Sequence, residues 1–139
     1  MKTVSGEIRL RTKPDFDMLD ITGQVSMFVA ESGIKSGTVT VFVVGSTAAV
    51  STVEFEPGMM KDIPASLEKI APSGADYEHH KTWGCDNGKS HVRATLIGPG
   101  ITVPVIGGKL PLGAWQQIVL MELDTKPRDR TVVLQVSGE

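Results

Sequence analysis

Gly37-Thr-Val-Thr-Val-Phe-Val-Val44 is the stretch of sequence that decides the fold. Threonine, valine and phenylalanine are enriched in β-strands. No glycine, proline or charged residue interrupts the run after Gly37. A nearly continuous run of this kind is typical of a strand that is covered on both sides. We therefore predict that residues 38–44 form a central strand with both faces buried.

Outward from this strand, apolar patterns bounded by glycine and proline turns predict further strands. These cover residues 4–10, 50–56, 91–97, 101–105, 115–122 and 131–136. Apolar residues at helical spacing predict a helix over residues 21–29, before Gly33, and another over 60–70, before Pro72. The strands do not alternate regularly with helices. We predict one α+β, mainly β domain over residues 1–139: a two-sheet β-sandwich of about seven or more strands with two flanking helices.

The composition is that of an ordinary globular protein. The chain has 139 residues, a net charge of −2 and 40% apolar residues, and no block of basic residues stands out. Its longest apolar run, residues 41–44, is far too short to cross a bilayer. Cys85 is the single cysteine, so no disulfide can form within one chain. We expect a cytoplasmic protein that binds neither nucleic acid nor membranes.

Residues 77–122 carry most of the groups that can do chemistry. His79, Asn87, His91 and Arg93 lie in this segment between glycine-rich turns. In the predicted strand 91–97, His91, Arg93 and Thr95 share one face. That face is either a polar surface exposed to solvent or the wall of a site. In a site, His91 would serve as a ligand or acid–base group and Arg93 would bind an anion.

A metal site is a second interpretation of the same segment. His79 and His91 are twelve residues apart across a loop, so they can meet in space. Glu54, Asp62 and Asp86 are available as a third ligand. Imidazole with carboxylate suits Zn²⁺, whereas carboxylates alone suit Mg²⁺. No standard zinc motif is present, so the identity of the divalent metal stays open.

Several motifs resemble those of the YjbQ-like family, whose function is uncharacterised. They are Gly37-Thr-Val-Thr-Val-Phe, Ser46-Thr47-Ala48-Ala49, Tyr77-x-His79, His91-Val-Arg-Ala and Leu112-Gly113-x-Trp115-Gln116. The resemblance extends over residues 8–139, and the last of these strings is its most specific part.

The resemblance implies a mainly-β sandwich that assembles as a homotrimer, with a metal or an anion in a polar pocket. It also implies a weak thiamin phosphate synthase activity, because some members are named for it. This reaction joins a pyrimidine methyl diphosphate to a thiazole phosphate and releases diphosphate. One departure stands out: many members carry histidine where this chain has Gly45. If that histidine were a ligand or a base, part of the machinery would be missing here.

The residues assigned to a site come from these motifs and their neighbours. The catalytic candidates are Glu54, Asp62 and His91; the substrate-binding candidates are Ser46, Thr47, Asn87, Arg93 and Lys109; the metal candidates are His79, His91 and Asp86. The expected ligand is a small phosphorylated metabolite. Two alternatives stay open: a protein that binds a metal or a phosphorylated metabolite without catalysis, and a hydrolase that uses metal-activated water.

Overall fold

The computed structural model describes residues 1–139. It contains seven strands and four helices. In chain order they are β1 (Lys2–Arg11), β2 (Asp17–Asp20), α1 (Thr22–Ser32), β3 (Ser36–Val43), β4 (Ala48–Val53), α2 (Met59–Ile70), α3 (Glu78–Trp83), α4 (Gly88–Ile97), β5 (Gly100–Ile106), β6 (Gln117–Glu122) and β7 (Asp129–Gly138). None of the helices has the length and apolar character that a membrane span requires.

The strands form two antiparallel sheets. One has four strands in the order β1-β7-β3-β5, and the other has three in the order β2-β6-β4. Sixteen buried residues, drawn from both sheets and from α1, form one core cluster. A second cluster of seven joins the opposite face of the three-stranded sheet to α2 and α4. The predicted α+β, mainly β fold with two sheets is confirmed.

Strand β3 is central in its sheet, but only one of its faces is buried. Val39, Val41 and Val43 point into the core, whereas Thr38, Thr40 and Phe42 are exposed. The prediction that both faces are covered is therefore wrong. Since α2 and α4 pack on the other sheet, nothing in the chain covers the outer face of this one.

The predicted strand over residues 91–97 is wrong, because this segment is helix α4. The apolar alternation that suggested a strand does not mark a buried face, since Val92 is 39% and Leu96 is 60% exposed. The buried positions follow a helical period instead: Ser90 and Ala94 are buried, and Ala94 and Ile97 pack under the three-stranded sheet. Two flanking helices were expected, and α3 and α4 bring the number to four.

The two predicted helices are confirmed. Helix α1 ends at Gly33, which has a left-handed φ of 75°. Helix α2 places Asp62 in its first turn, where a carboxylate complements the helix dipole. Residues 15–20 lie outside every predicted strand and helix, yet they contain strand β2. A strand of four residues offers too short a pattern to recognise, and its pairing with β6 buries Met18.

Gly37 is the position in β3 where a larger residue should do most harm. It faces Gly138 of β7, and a Cβ on Gly37 would overlap the carbonyl oxygen of Ser137 and lie 2.8 Å from the Gly138 Cα. Because these are backbone atoms, the strands must separate, and we expect Gly37→Ala to lower the free energy of unfolding by about 1–3 kcal/mol. Urea denaturation measures this.

Gly23→Ala is the matched control, because a Cβ there meets nothing within 4 Å. This residue lies in the first turn of α1, where alanine should be neutral or stabilising by up to about 1 kcal/mol. Equal stability of the two variants would show that the β3–β7 contact is looser than described.

Candidate functional site

Two histidines meet where α3 and α4 pack together. Their ring centroids are 4.5 Å apart, with His79 on α3 and His91 on α4. Gly84 makes this possible, because its left-handed φ of 61° ends α3 and reverses the chain. His80 turns away from the pair, and its Nε2 accepts a hydrogen bond from the Gly88 N–H (3.0 Å). The structure thus directs His79, and not its neighbour, toward His91.

A buried carboxylate lies behind the histidines. His79 Nε2 is 3.2 Å from Asn87 Oδ1, and the amide of Asn87 donates to Asp124 Oδ1 (3.3 Å). Asp124 follows β6 and is only 1% exposed. The Thr47 hydroxyl donates to its other oxygen (3.1 Å). We call His79, His91, Asn87, Asp124 and Thr47 the His79–His91 cluster.

Asp124 is held as a carboxylate. Burial raises the pKa of its carboxyl, but hydrogen bonds from the Thr125 N–H, Arg128, Asn87 and Thr47 outweigh burial, and its pKa lies below the ordinary value. Arg128 contributes through Nε at 2.9 Å and Nη2 at 2.8 Å. The cluster therefore contains a fixed negative charge that is balanced by this arginine.

A second buried pair, Arg130 and Glu122, contacts the cluster through Thr47. Arg130 donates through Nε (2.7 Å) and Nη2 (2.5 Å) to the two oxygens of Glu122. Its Nη2 also donates to Thr47 Oγ1 (2.7 Å), which connects the pair to Asp124. Thr12 donates its hydroxyl to Glu122 (2.6 Å), and the Asp124 N–H donates to the same carboxylate (3.0 Å). The orientation of Thr47 is thus set by two arginine–carboxylate systems.

The surroundings of His91 favour the neutral form of its imidazole. Partial burial is the main cause that lowers its pKa, and the neighbouring His79 lowers it further. The negative charge of Asp124 and a backbone hydrogen bond at Ser46 raise it, but they do not outweigh burial. A half-buried imidazole of this kind is neutral at pH 7 and can accept or share a proton.

This lowered pKa predicts a pH dependence of stability. In the unfolded chain, the pKa of histidine is about 6.5. As the pH falls below that value, the unfolded chain takes up the His91 proton before the folded chain does, so the free energy of unfolding decreases. The loss is complete once the pH is below the folded pKa. We expect thermal denaturation between pH 8 and 5 to show this decrease.

His91→Gln should reduce that slope, because glutamine does not titrate. The low pKa values of Asp124 and Glu68 act in a separate window, below about pH 4, where stability is lost as these carboxylates take up protons. An unchanged slope between pH 8 and 5 in the variant would contradict the assignment to His91.

The structure brings together only part of the predicted site. His79, Asn87, His91 and Thr47 belong to the cluster, and the Ser46 backbone contacts His91. Asp86 stands at its margin, where its carboxylate accepts a bond from Thr125 Oγ1 (3.3 Å).

Arg93 is engaged elsewhere. It is 4% exposed, and its guanidinium donates to the Ala71 carbonyl oxygen (2.7 and 3.0 Å) and to Glu68 (2.8 Å). It therefore closes the end of α2. The pKa of Glu68 is lowered to about 2, chiefly by hydrogen bonds from Ser73 and then by Arg93. This arginine has a structural partner and does not face the histidines.

Three other predicted residues have no contact with the cluster. Glu54 is exposed after β4 and makes no hydrogen bond or ion pair, and Asp62 is exposed on α2. Lys109 lines a different cleft, together with Lys35.

The structure also adds residues that the sequence analysis missed. Asp124 and the Glu122–Arg130 pair were not predicted as site residues. The signal for the two acids was their place in the sequence, since Glu122 interrupts the apolar segment 118–123 and Asp124 follows it directly.

The residues of this chain do not fit a complete metal site. No group of three histidine, cysteine, aspartate or glutamate side chains is arranged to hold an ion. The imidazoles supply two ligands, and Asp124 already accepts hydrogen bonds from four residues. A metal between His79 and His91 would need further ligands from a substrate or a second chain.

Gly45 is packed closely against the Arg130 guanidinium. Its φ is 128°, a conformation that side chains rarely adopt, and a Cβ there would lie 2.7 Å from Arg130 Nη1. A histidine at this position would require the guanidinium to move. A small cleft of about 150 Å³ opens beside the glycine, lined by Gly45, Ser46, Ala48, Ala94, Thr95 and Pro99.

Comparison with known proteins places this chain in a family. The model of the UPF0047 YjbQ-like proteins matches residues 6–139. A UPF0047 protein of Methanothermobacter thermautotrophicus is 40% identical over 139 residues, which are 100% of this chain and 95% of the relative. The structure of a YbjQ-like protein of unknown function from Sulfolobus solfataricus is 36% identical, with a TM-score of 0.93 and 99% of each chain covered.

A hypothetical protein of Aeropyrum pernix, also solved by crystallography, is 35% identical, with a TM-score of 0.91 over 98% of this chain and 99% of the other. These similarities extend over the whole fold and include the segment that carries the paired histidines. The chain therefore belongs to the YjbQ-like UPF0047 family.

Proposed function

We propose that the His79–His91 cluster binds a small phosphorylated metabolite and that His91 handles a proton of this ligand. The observation that carries the proposal is the contact between the two half-buried imidazoles, 4.5 Å apart and connected through Asn87 to a buried carboxylate. Such perturbed titratable groups, brought together by three separate segments, are more typical of a site than of a solvated surface.

The imidazole supports proton transfer. Because its pKa is lowered, His91 is neutral at pH 7 and offers one ring nitrogen as acceptor and the other as donor. The neutral form can accept a proton or donate its N–H to a phosphate oxygen. A general acid–base group of this kind contributes about 10²–10⁴-fold to a rate.

Neighbouring groups support anion binding. Ser46 is exposed beside His91, and the Arg128 side chain is 46% exposed although it is paired with Asp124. A phosphate at the open side of this arginine would gain a charge-assisted hydrogen bond. The adjoining cleft of about 150 Å³ is small for a complete ligand, since small-molecule pockets measure about 300–1,000 Å³. Completion of the site by a second chain would enlarge it.

We propose such an association, as a homotrimer. The outer face of the four-stranded sheet supports it, because Phe42 is 43% and Ile106 is 65% exposed there, while Trp115 is 75% exposed nearby. Large exposed apolar groups favour an interface between proteins. Sedimentation velocity measures the assembly, and a monomer at micromolar concentration would contradict it.

The first reaction to assay is the diphosphate-releasing transfer that the family resemblance suggests. The thiazole nitrogen attacks the methylene carbon of the pyrimidine diphosphate, the carbon–oxygen bond breaks and diphosphate leaves. A role for His91 here is to donate its N–H to an oxygen of the diphosphate as charge develops on it. No step is assigned to a metal, because the chain lacks a three-ligand site.

A binding protein without catalysis is the second candidate. The observation that favours it is Gly45, which stands where many members of the family carry a histidine and is packed against Arg130. A site with fewer reactive groups can still hold a phosphorylated ligand by hydrogen bonds alone.

Two measurements on the untagged protein distinguish the enzyme from the binding protein. Formation of thiamin phosphate from the two substrates tests transfer, and calorimetry with each substrate alone tests binding. Product formation supports the enzyme, whereas saturable binding without product supports the binding protein. Absence of both would overturn the proposed site for these ligands. Metal analysis of the same sample shows whether the protein holds a metal in solution.

A further inference from the structure

A second cleft lies between helix α1 and the turn that follows β5. Its volume is about 500 Å³, and it is lined by Ser26, Ala30, Lys35, Gly107, Gly108, Lys109 and Leu110. No hydrogen bond or ion pair connects these residues with the His79–His91 cluster. The volume falls within the range of about 300–1,000 Å³ that is usual for small-molecule sites.

The cleft is positively charged. Lys35 and Lys109 line it, neither ammonium group pairs with a carboxylate, and no acidic residue is part of the lining. The Lys35 backbone N–H donates to the main-chain oxygen of Glu139 (2.6 Å). By contrast, every arginine of the chain lies within 4 Å of an acidic partner. Two like charges that share a cleft repel each other and concentrate a positive potential there, which attracts anions.

The backbone of the turn adds a donor. Gly107 and Gly108 have φ values of 59° and 75°, and Ile106 and Lys109 exchange hydrogen bonds of 2.9 and 3.1 Å. This is a type I′ turn, which requires positive φ at both central residues. The Gly107 N–H has no partner within the chain, so it is free to donate to a ligand.

Lys35 is fixed next to this turn. The Gly108 N–H donates to the Lys35 carbonyl oxygen (3.0 Å). A Cβ on Gly108 would lie 3.2 Å from both Cδ and Nζ of this lysine. The glycine therefore leaves room for the ammonium group to lie over the turn, within the same cleft as Lys109.

We propose that this cleft binds the phosphate or diphosphate group of a small molecule. The Lys35 and Lys109 ammonium groups neutralise the anion, and the Gly107 N–H donates a hydrogen bond to it. Lysine binds phosphate as a compact point charge with several donors. This assignment does not depend on the function proposed for the His79–His91 cluster.

Titration with inorganic pyrophosphate at constant ionic strength tests the proposal. Calorimetry measures the affinity, and the amide resonances of Gly107 and Gly108 report whether the anion lies at the turn. We expect saturable binding to the wild-type protein, shifts of both resonances, and at least tenfold weaker binding to the Lys35→Gln, Lys109→Gln double variant. The matched control is Lys61→Gln, Lys69→Gln, which removes the same charge from two exposed lysines of α2.

The possible outcomes are distinct. Loss of binding in the first double variant alone supports the cleft. Equal loss in both double variants would show a nonspecific charge effect and overturn it, as would unchanged affinity in the first. Binding that is lost only in His91→Ala would place pyrophosphate in the His79–His91 cluster, which overturns this assignment while it supports the other site.

Discussion

Replacement of Glu122 by glutamine is expected to lower the free energy of unfolding by about 3–5 kcal/mol. Glu122 is fully buried and accepts hydrogen bonds from Arg130, Thr12 and the Asp124 N–H. Arg130 is only 7% exposed. The glutamine would leave the guanidinium charge buried without its counter-ion and would turn an amide N–H₂ toward it. Chemical denaturation followed by circular dichroism measures the loss.

Two further variants show whether the charge pair is the cause. Glu7→Gln removes a carboxylate that pairs with Arg9 on the surface, with side chains 46% and 79% exposed, and it should change stability by less than about 1 kcal/mol. The double variant Glu122→Leu, Arg130→Met removes both buried charges and should recover much of the loss. A loss below about 1 kcal/mol in Glu122→Gln would mean that water reaches the pair.

His91→Ala is expected to lower turnover of a phosphorylated substrate by about 10²–10⁴-fold. The reason is the position of the imidazole, which is half-buried next to His79 and neutral at pH 7. The effect should appear in kcat more than in KM, because His91 acts on a proton and not as the main charge that holds the ligand. Steady-state kinetics with the two thiamin phosphate precursors measures it.

Leu96→Ala is the matched control, because this side chain lies on the same helix, is 60% exposed and lines neither the cluster nor the adjoining cleft. It should retain wild-type turnover, and both variants should unfold as the wild-type protein does at pH 8. Turnover that is unchanged in His91→Ala would remove the imidazole from the reaction. Equal losses in both variants would indicate a change in α4 and not loss of a catalytic group.

The parts of the fold that could be predicted are those with a clear local pattern. Strands β1 and β3 to β7 and helices α1 and α2 follow from their apolar spacing and from their glycine and proline boundaries. Helix α4 did not follow, because Val92, Ala94 and Leu96 imitate a strand although the first and last are exposed. Burial depends on what the rest of the chain places against a segment, and the spacing of apolar residues alone does not contain that information.

The candidate site also has one part that the sequence indicates and another that only the structure shows. The sequence by itself determined the family, and it predicted His79, Asn87 and His91 as site residues because their motifs and side-chain chemistry favour a site. Only the tertiary structure decided that Asp124 joins them and that Arg93, Glu54 and Asp62 do not. Asp124 is 37 residues from Asn87 and 77 from Thr47, both of which donate to it. These contacts form because β4 and β6 pair in one sheet, which brings Thr47 beside Asp124, and because α4 packs against that sheet.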